Sequence, residues 1–233
     1  MNNSLSPDQP RSDQIPTFTY LFSTSWAIYQ RRVGTLLAIM FISLAIVLGI
    51  VMVVGAVAVG LFFAMRPWKN AIIGIAVILV GLPSFYVLVR FHLALVIALL
   101  REEATVKEAV AASRNRLWFF VGLGILNALI LIGGFILLII PGVIFAVWFA
   151  FASFIFVAEG RTAVQSLSAS KVLIKGKWWD VAARLFVLGL VTSLLSMIPL
   201  VGWLFSILLS PFGGIYTVTL YRSLRASAPA IAV

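Results

Sequence analysis

The sequence predicts an all-α polytopic membrane bundle, and three observations carry that expectation. The 233-residue chain is 63% hydrophobic and only 10% charged, whereas soluble domains are about half apolar and about a quarter charged. Its apolar residues fall in long uncharged runs, which at about 1.5 Å per residue match a hydrocarbon core of about 30 Å. Its basic residues, which give a net charge of +10, gather in the short segments between those runs. That placement is the pattern of membrane topology signals, not of a nucleic-acid footprint.

Taken in order, residues 1–16 are polar and proline-rich, with nothing to bury, and read as a disordered tail. The first long apolar run begins only near Val33, too late for a signal peptide. It continues to residue 65 without a charge and exceeds the hydrocarbon thickness, so it must tilt or bend. Gly49, Gly55 and Gly60 are bend or close-packing points. A break at residues 66–70 precedes a second run over 71–100, with Pro83 predicting a kink and Arg90 and His92 a polar face. The third run, 117–140, meets Pro141-Gly142, and the fourth follows over 143–158 as the return of a tight hairpin. The fifth and sixth, about 179–198 and 202–221, repeat that arrangement around Pro199. Six spans in one membrane domain, 17–225, with a short tail over 226–233, complete the expectation.

Sorting the basic residues gives the orientation. Arg90 and Arg184 lie within runs, only Arg66 and Lys69 fall on the side away from the N-terminus, and all other Lys and Arg fall on the N-terminal side. Both termini are therefore expected in the cytoplasm. Trp26, Trp118, Trp178 and Trp179 mark that side and Trp68 and Trp203 the other, with Trp148 mid-span.

Residues 102–113 (EEATVKEAVAAS) lie over 159–170 (EGRTAVQSLSAS) without a gap. Each holds a capping-box pattern, Thr105 with Glu108 and Thr162 with Gln165, in which hydroxyl and Glu or Gln side chain satisfy orphan amides at a helix start. Each box opens a short amphipathic helix suited to the cytoplasmic headgroup layer. Residues 18–32 fit more loosely, with Ser23, Ser25 and Arg32 over Ser168, Ser170 and Lys177. The pattern predicts three parallel units, about 18–100, 102–158 and 159–222, each a cytoplasmic-side interfacial helix plus a transmembrane hairpin.

Pro141-Gly142-Val143-Ile144, Glu159-Gly160, Ala163, Ser166, Ser170, Lys175-Gly176 and Trp178, with the opening Ser25-Trp26-Ala27-Ile28-Tyr29, resemble the glycerophosphoryl diester phosphodiesterase membrane-domain family and similar YciC-type inner-membrane proteins. The resemblance implies a six-span domain of the bacterial inner membrane. It does not imply the phosphodiesterase activity, because that chemistry needs histidines and carboxylates around a metal and His92 is the one histidine here.

Several residues compete for a functional role. Arg90 and His92 are ionisable groups inside an apolar run, where a guanidinium suits an anion; the alternative is snorkelling to the headgroups with His92 bonding a neighbouring helix. Asp180 and Arg184, one turn apart, form either a local ion pair or part of a polar pathway. Arg114, Arg116, Lys171, Lys175 and Lys177 recognise anionic lipid or set topology alone. Glu102 and Glu159 are expected to pair with Lys or Arg across units rather than to relay protons, and Pro141, Gly142, Glu159, Gly160 and Pro199 form the structural motif. The absence of cysteine excludes disulfides and thiolate sites. No nucleotide-binding loop, metalloprotease motif or nucleophile elbow is present. The expectation is a non-enzymatic protein without cofactor or metal, whose partners are anionic phospholipids or a small anion and not nucleic acid. The alternative is an assembly protein packing against itself or a membrane enzyme through small-residue faces such as Ala45/Gly49 and Ala56/Gly60.

Overall fold

The computed structural model describes residues 16–64, 68–198 and 202–227, and among these there is helix and turn but no strand. In chain order the helices are α1 (Phe18–Ala64), α2 (Lys69–Leu100), α3 (Val106–Ala112), α4 (Leu117–Leu137), α5 (Ile139–Trp148), α6 (Ala152–Glu159), α7 (Ala163–Ile174), α8 (Trp178–Ser196) and α9 (Gly202–Ser227), with a 3₁₀ turn at Ser113–Arg116. Five stretches are long and apolar enough to cross a membrane: Phe18–Ala64, Asn70–Leu100, Val106–Leu137, Ile139–Glu159 and Trp178–Ser196. The last expected span lies within α9. Apolar side chains cover their outer surfaces, with Met52 73% and Ile136 79% exposed, a surface suited to lipid rather than water. Of the expected features, Arg66, Pro199 and nearly all of both tails lie outside the described residues.

The chain divides into two compact units, residues 35–117 and residues 1–34 with 118–233. In the 35–117 unit, α2 continues through Pro83 without interruption. Its C-terminal half packs on α3 and the 3₁₀ turn, burying Leu93, Ala94 and Ala98 of α2 and Ala109 of α3. The capping box forms as the sequence predicts. Thr105 Oγ1 accepts from the Glu108 amide at 3.3 Å and the Glu108 carboxylate accepts from the Thr105 amide at 2.9 Å.

In the other unit, α4 and α5 form the expected hairpin, but the reversal sits at Leu138, whose backbone is extended, and not at Pro141-Gly142. Pro141 falls in the first turn of α5, where a missing N–H leaves nothing unsatisfied. Gly142 lets the helices close, since a Cβ there would collide with the Phe135 ring. The fourth expected span is not continuous. A turn at residues 149–151 divides it into α5 and α6, and Trp148 lies at the middle of the apolar stretch Ile139–Glu159, as expected. Gly160, at φ 69°, ends α6, and Gly176, at φ 84°, turns the chain between α7 and α8. Both adopt the left-handed backbone that only glycine enters freely.

The expected separate surface helix over 18–32 is also absent, because α1 runs unbroken from Phe18 through Arg32 to Ala64. No capping box interrupts it there, unlike the segments that begin at Thr105 and Thr162. Its first turns carry an aromatic row: Phe18 packs on Tyr216, and Phe22, Trp26 and Tyr29 pack on Phe212. Tyr29 donates to the Leu208 carbonyl at 2.9 Å, beside Pro211, whose missing N–H opens the α9 backbone.

Candidate functional site

The strongest concentration of chemistry lies around α7. Thr162 Oγ1 accepts from the Gln165 amide and Gln165 caps the Thr162 amide, which fixes where the helix starts and therefore its rotation. One face, Ser166, Leu167, Ser170, Leu173 and Ile174, is buried. The opposite stripe, Val164, Ser168, Lys171, Val172 and Lys175, is exposed. Burying three large aliphatic side chains contributes about 2 kcal/mol each, so α7 is held firmly with its lysines outward. Two exposed valines among two exposed lysines form the mixed face of an interfacial helix.

Ser170 locks α7 to the broken helix. Its hydroxyl donates to the Trp148 carbonyl at 2.7 Å and accepts from the Phe151 amide at 3.3 Å, satisfying two backbone groups that the interruption frees. The Lys171 ammonium stands 4.4 Å over the Trp148 ring, a cation–π contact.

At the other end of α7, Glu159 is a hub. Arg161 donates to it at 2.7 Å, Arg225 at 3.3 Å and the Tyr221 hydroxyl at 3.3 Å. Glu159, Arg161 and Arg225 border a pocket of about 220 Å³ with Gln165 and Ser168. Glu159 pairs with Arg161, two residues on, and with Arg225 at the end of α9, and not with a basic residue of another expected unit. Lys177 donates to Ser227 at 2.9 Å, tying the start of α8 to the end of α9, and Lys175 is exposed.

Arg90 reaches a different environment. Its guanidinium lies 3.5 Å from the Val110 carbonyl and 3.5 Å from the Tyr86 hydroxyl, placing positive charge at the C-terminal end of α3, where the helix dipole favours it. Its Nε is buried without a partner among the described residues. His92 is on an exposed side of α2, and Arg114 is exposed with Arg116 half-buried on the 3₁₀ turn. Arg90 and the turn lie in one unit and Lys171, Lys175 and Lys177 in the other.

Asp180 and Arg184 are 3.6 Å apart, as their spacing predicts, but the shorter bonds of Arg184 go to backbone. It donates to the Asp180 carbonyl at 2.8 Å and, through two nitrogens, to the Pro16 carbonyl at 3.0 and 3.3 Å. The pair therefore anchors the chain entering α1.

A groove of about 470 Å³ between α8 and α9 carries Thr192, Ser193, Ser196, Ser206, Ser210 and Thr217. Thr192, Ser196, Ser206 and Thr217 donate to carbonyls of their own helices, which satisfies them without a ligand. Among the described residues no group of three His, Asp or Glu is placed to hold a metal ion. No family model, characterised protein or solved structure matches the chain.

Proposed function

We propose that this is a non-enzymatic, six-span protein of the bacterial inner membrane, with cytoplasmic termini, that engages anionic phospholipid headgroups through α7 and the adjoining helix ends. The observation that carries this reading is the outward stripe of α7, where Lys171 and Lys175 alternate with exposed Val164 and Val172 over a fixed buried face. Lysines supply attraction to an anionic surface and valines enter its apolar edge. Arg161 and Arg225, each half-buried beside Glu159, extend the basic surface. The resemblance to the phosphodiesterase membrane-domain family supports the six-span bacterial reading. The likeness of residues 102–113 and 159–170 is supported by Ser113 and Ser170, which end the two aligned segments and are each 0% exposed.

The test is native mass spectrometry of the purified chain offered phosphatidylglycerol and phosphatidylcholine together. Each charge near an anionic surface contributes about 1 kcal/mol, so neutralising two, in the Lys171→Gln/Lys175→Gln variant, should lower the preference for phosphatidylglycerol about thirtyfold. An unchanged preference would refute the reading. A second reading, translocation of a small anion at Arg90, has less support, because Arg90 is directed to the Val110 carbonyl.

A further inference from the structure

A second groove, about 540 Å³ and almost wholly apolar, runs between α5 and the first half of α8, lined by Val143, Ala146 and Val147 on one side and Trp178, Ala183 and Phe186 on the other. We propose that this groove holds one acyl chain of an anionic diacyl phospholipid, whose phosphate rests at the Lys171 end. The inference rests on the headgroup reading above and adds to it a particular lipid position.

Two features of the groove select this occupant. Its walls carry small residues, Ala146 on α5 and Ala182 and Ala183 on α8, which leave open space between helices otherwise lined with bulky groups. Charge complementarity marks one end. Val147 in the wall is followed by Trp148, and the Lys171 ammonium sits 4.4 Å over that indole, held by a contact that a phosphate can replace at little loss, since an exposed cation–π pair contributes only about 0.5–1 kcal/mol. Lys175 is exposed nearby in sequence, before Trp178. A helix from another protein would bring a row of side chains and no phosphate to Lys171.

The experiment uses the full-length chain in detergent, titrated with dioleoyl phosphatidylglycerol, dioleoyl phosphatidylcholine and oleate, with retained lipid counted by native mass spectrometry. Wild type should retain one phosphatidylglycerol in preference to the other two. Ala183→Phe and Ala146→Phe, which fill the groove from opposite walls at exposed positions, should each reduce that retention at least tenfold, while Lys171→Gln lowers the preference for phosphatidylglycerol and leaves total retention within about twofold. Should either phenylalanine variant unfold, the smaller Ala183→Leu carries the same test. If filled variants retain phosphatidylglycerol as wild type does, the groove assignment is overturned while the headgroup reading stands. If wild type retains oleate or phosphatidylcholine equally well, the anionic phospholipid is overturned as occupant, whatever the filled variants do.

Discussion

The two capping-box helices, α3 and α7, begin from the same capping pattern and end in different structures. Both start on a Thr whose hydroxyl and partner side chain exchange bonds with the backbone, and both lead to a serine that is fully buried, Ser113 and Ser170. Yet α3 stops after 7 residues and runs through a 3₁₀ turn into α4, while α7 continues for 12. Among the described residues, the Ser113 hydroxyl bonds the Val110 carbonyl of its own turn. Ser170 bridges the two sides of a break in another part of the chain. The capping box sets where a helix begins and how it is rotated, and tertiary partners then decide what the buried face is for.

Breaking that difference at its centre should give the largest effect. Ser170→Ala leaves a buried carbonyl and a buried amide without partners, a loss of about 2–3 kcal/mol, whereas Ser113→Ala should cost less than about 1 kcal/mol because only its own hydroxyl bond disappears. Unfolding in mixed micelles measures both, and equal losses would show that the broken helix does not depend on Ser170.

The next effect belongs to the end of α7. Glu159→Gln weakens the bonds from Arg161, Arg225 and Tyr221, and with the partners partly exposed the loss should be near 1 kcal/mol. Hydrogen exchange should show it in α6 and the start of α7, with α3 unchanged.

A smaller change is expected at α3. Arg90→Gln removes the cation from its C-terminal carbonyls, worth about 0.3–1 kcal/mol, and amide exchange in α3 should quicken while α7 is unaffected.

Acid should separate the two boxes with the smallest signal. Hydrogen bonds from the Thr105 backbone and side chain hold the Glu108 carboxyl below its ordinary value of 4.5. Its contribution is therefore fully present above that value and is lost as pH falls through the depressed one. Gln165, its counterpart in α7, does not titrate. Exchange followed as pH falls through that depressed value should show fraying at α3 and none at α7, and parallel fraying would mean that the Glu108 charge is not what holds the α3 cap.

How much of this could be read in advance differs by element. The helical class, the capping boxes and the Asp180–Arg184 contact were legible because each depends on composition or on residues within one turn. The reversal at Leu138 was not, because Pro141 is equally at home in the first turn of a helix and in a turn before it. The break after Trp148 carries no Gly or Pro, and its signal is Ser170, which lies 22 residues away. Continuity of α1 past Arg32 was obscured by charge, which marks a membrane boundary without requiring the helix to stop. The aromatic row from Phe18 to Tyr29 was visible at helical spacing, but its partners Phe212 and Tyr216 were not. The Glu159 hub was half legible, since the carboxylate was marked by the repeat and Arg225 becomes its partner only through the fold.

The central claim is that the lysine stripe of α7 lies against anionic headgroups. Single cysteines placed in this cysteine-free chain at residues 164, 168, 171, 172 and 175, and at buried 167 and 173, can be spin-labelled and their exposure to oxygen and to a water-soluble nickel complex measured in vesicles with and without phosphatidylglycerol. The account predicts that labels on the outward stripe report headgroup depth and move deeper when phosphatidylglycerol is added. Full nickel accessibility along that stripe, unchanged by phosphatidylglycerol, would place α7 in bulk water and contradict it.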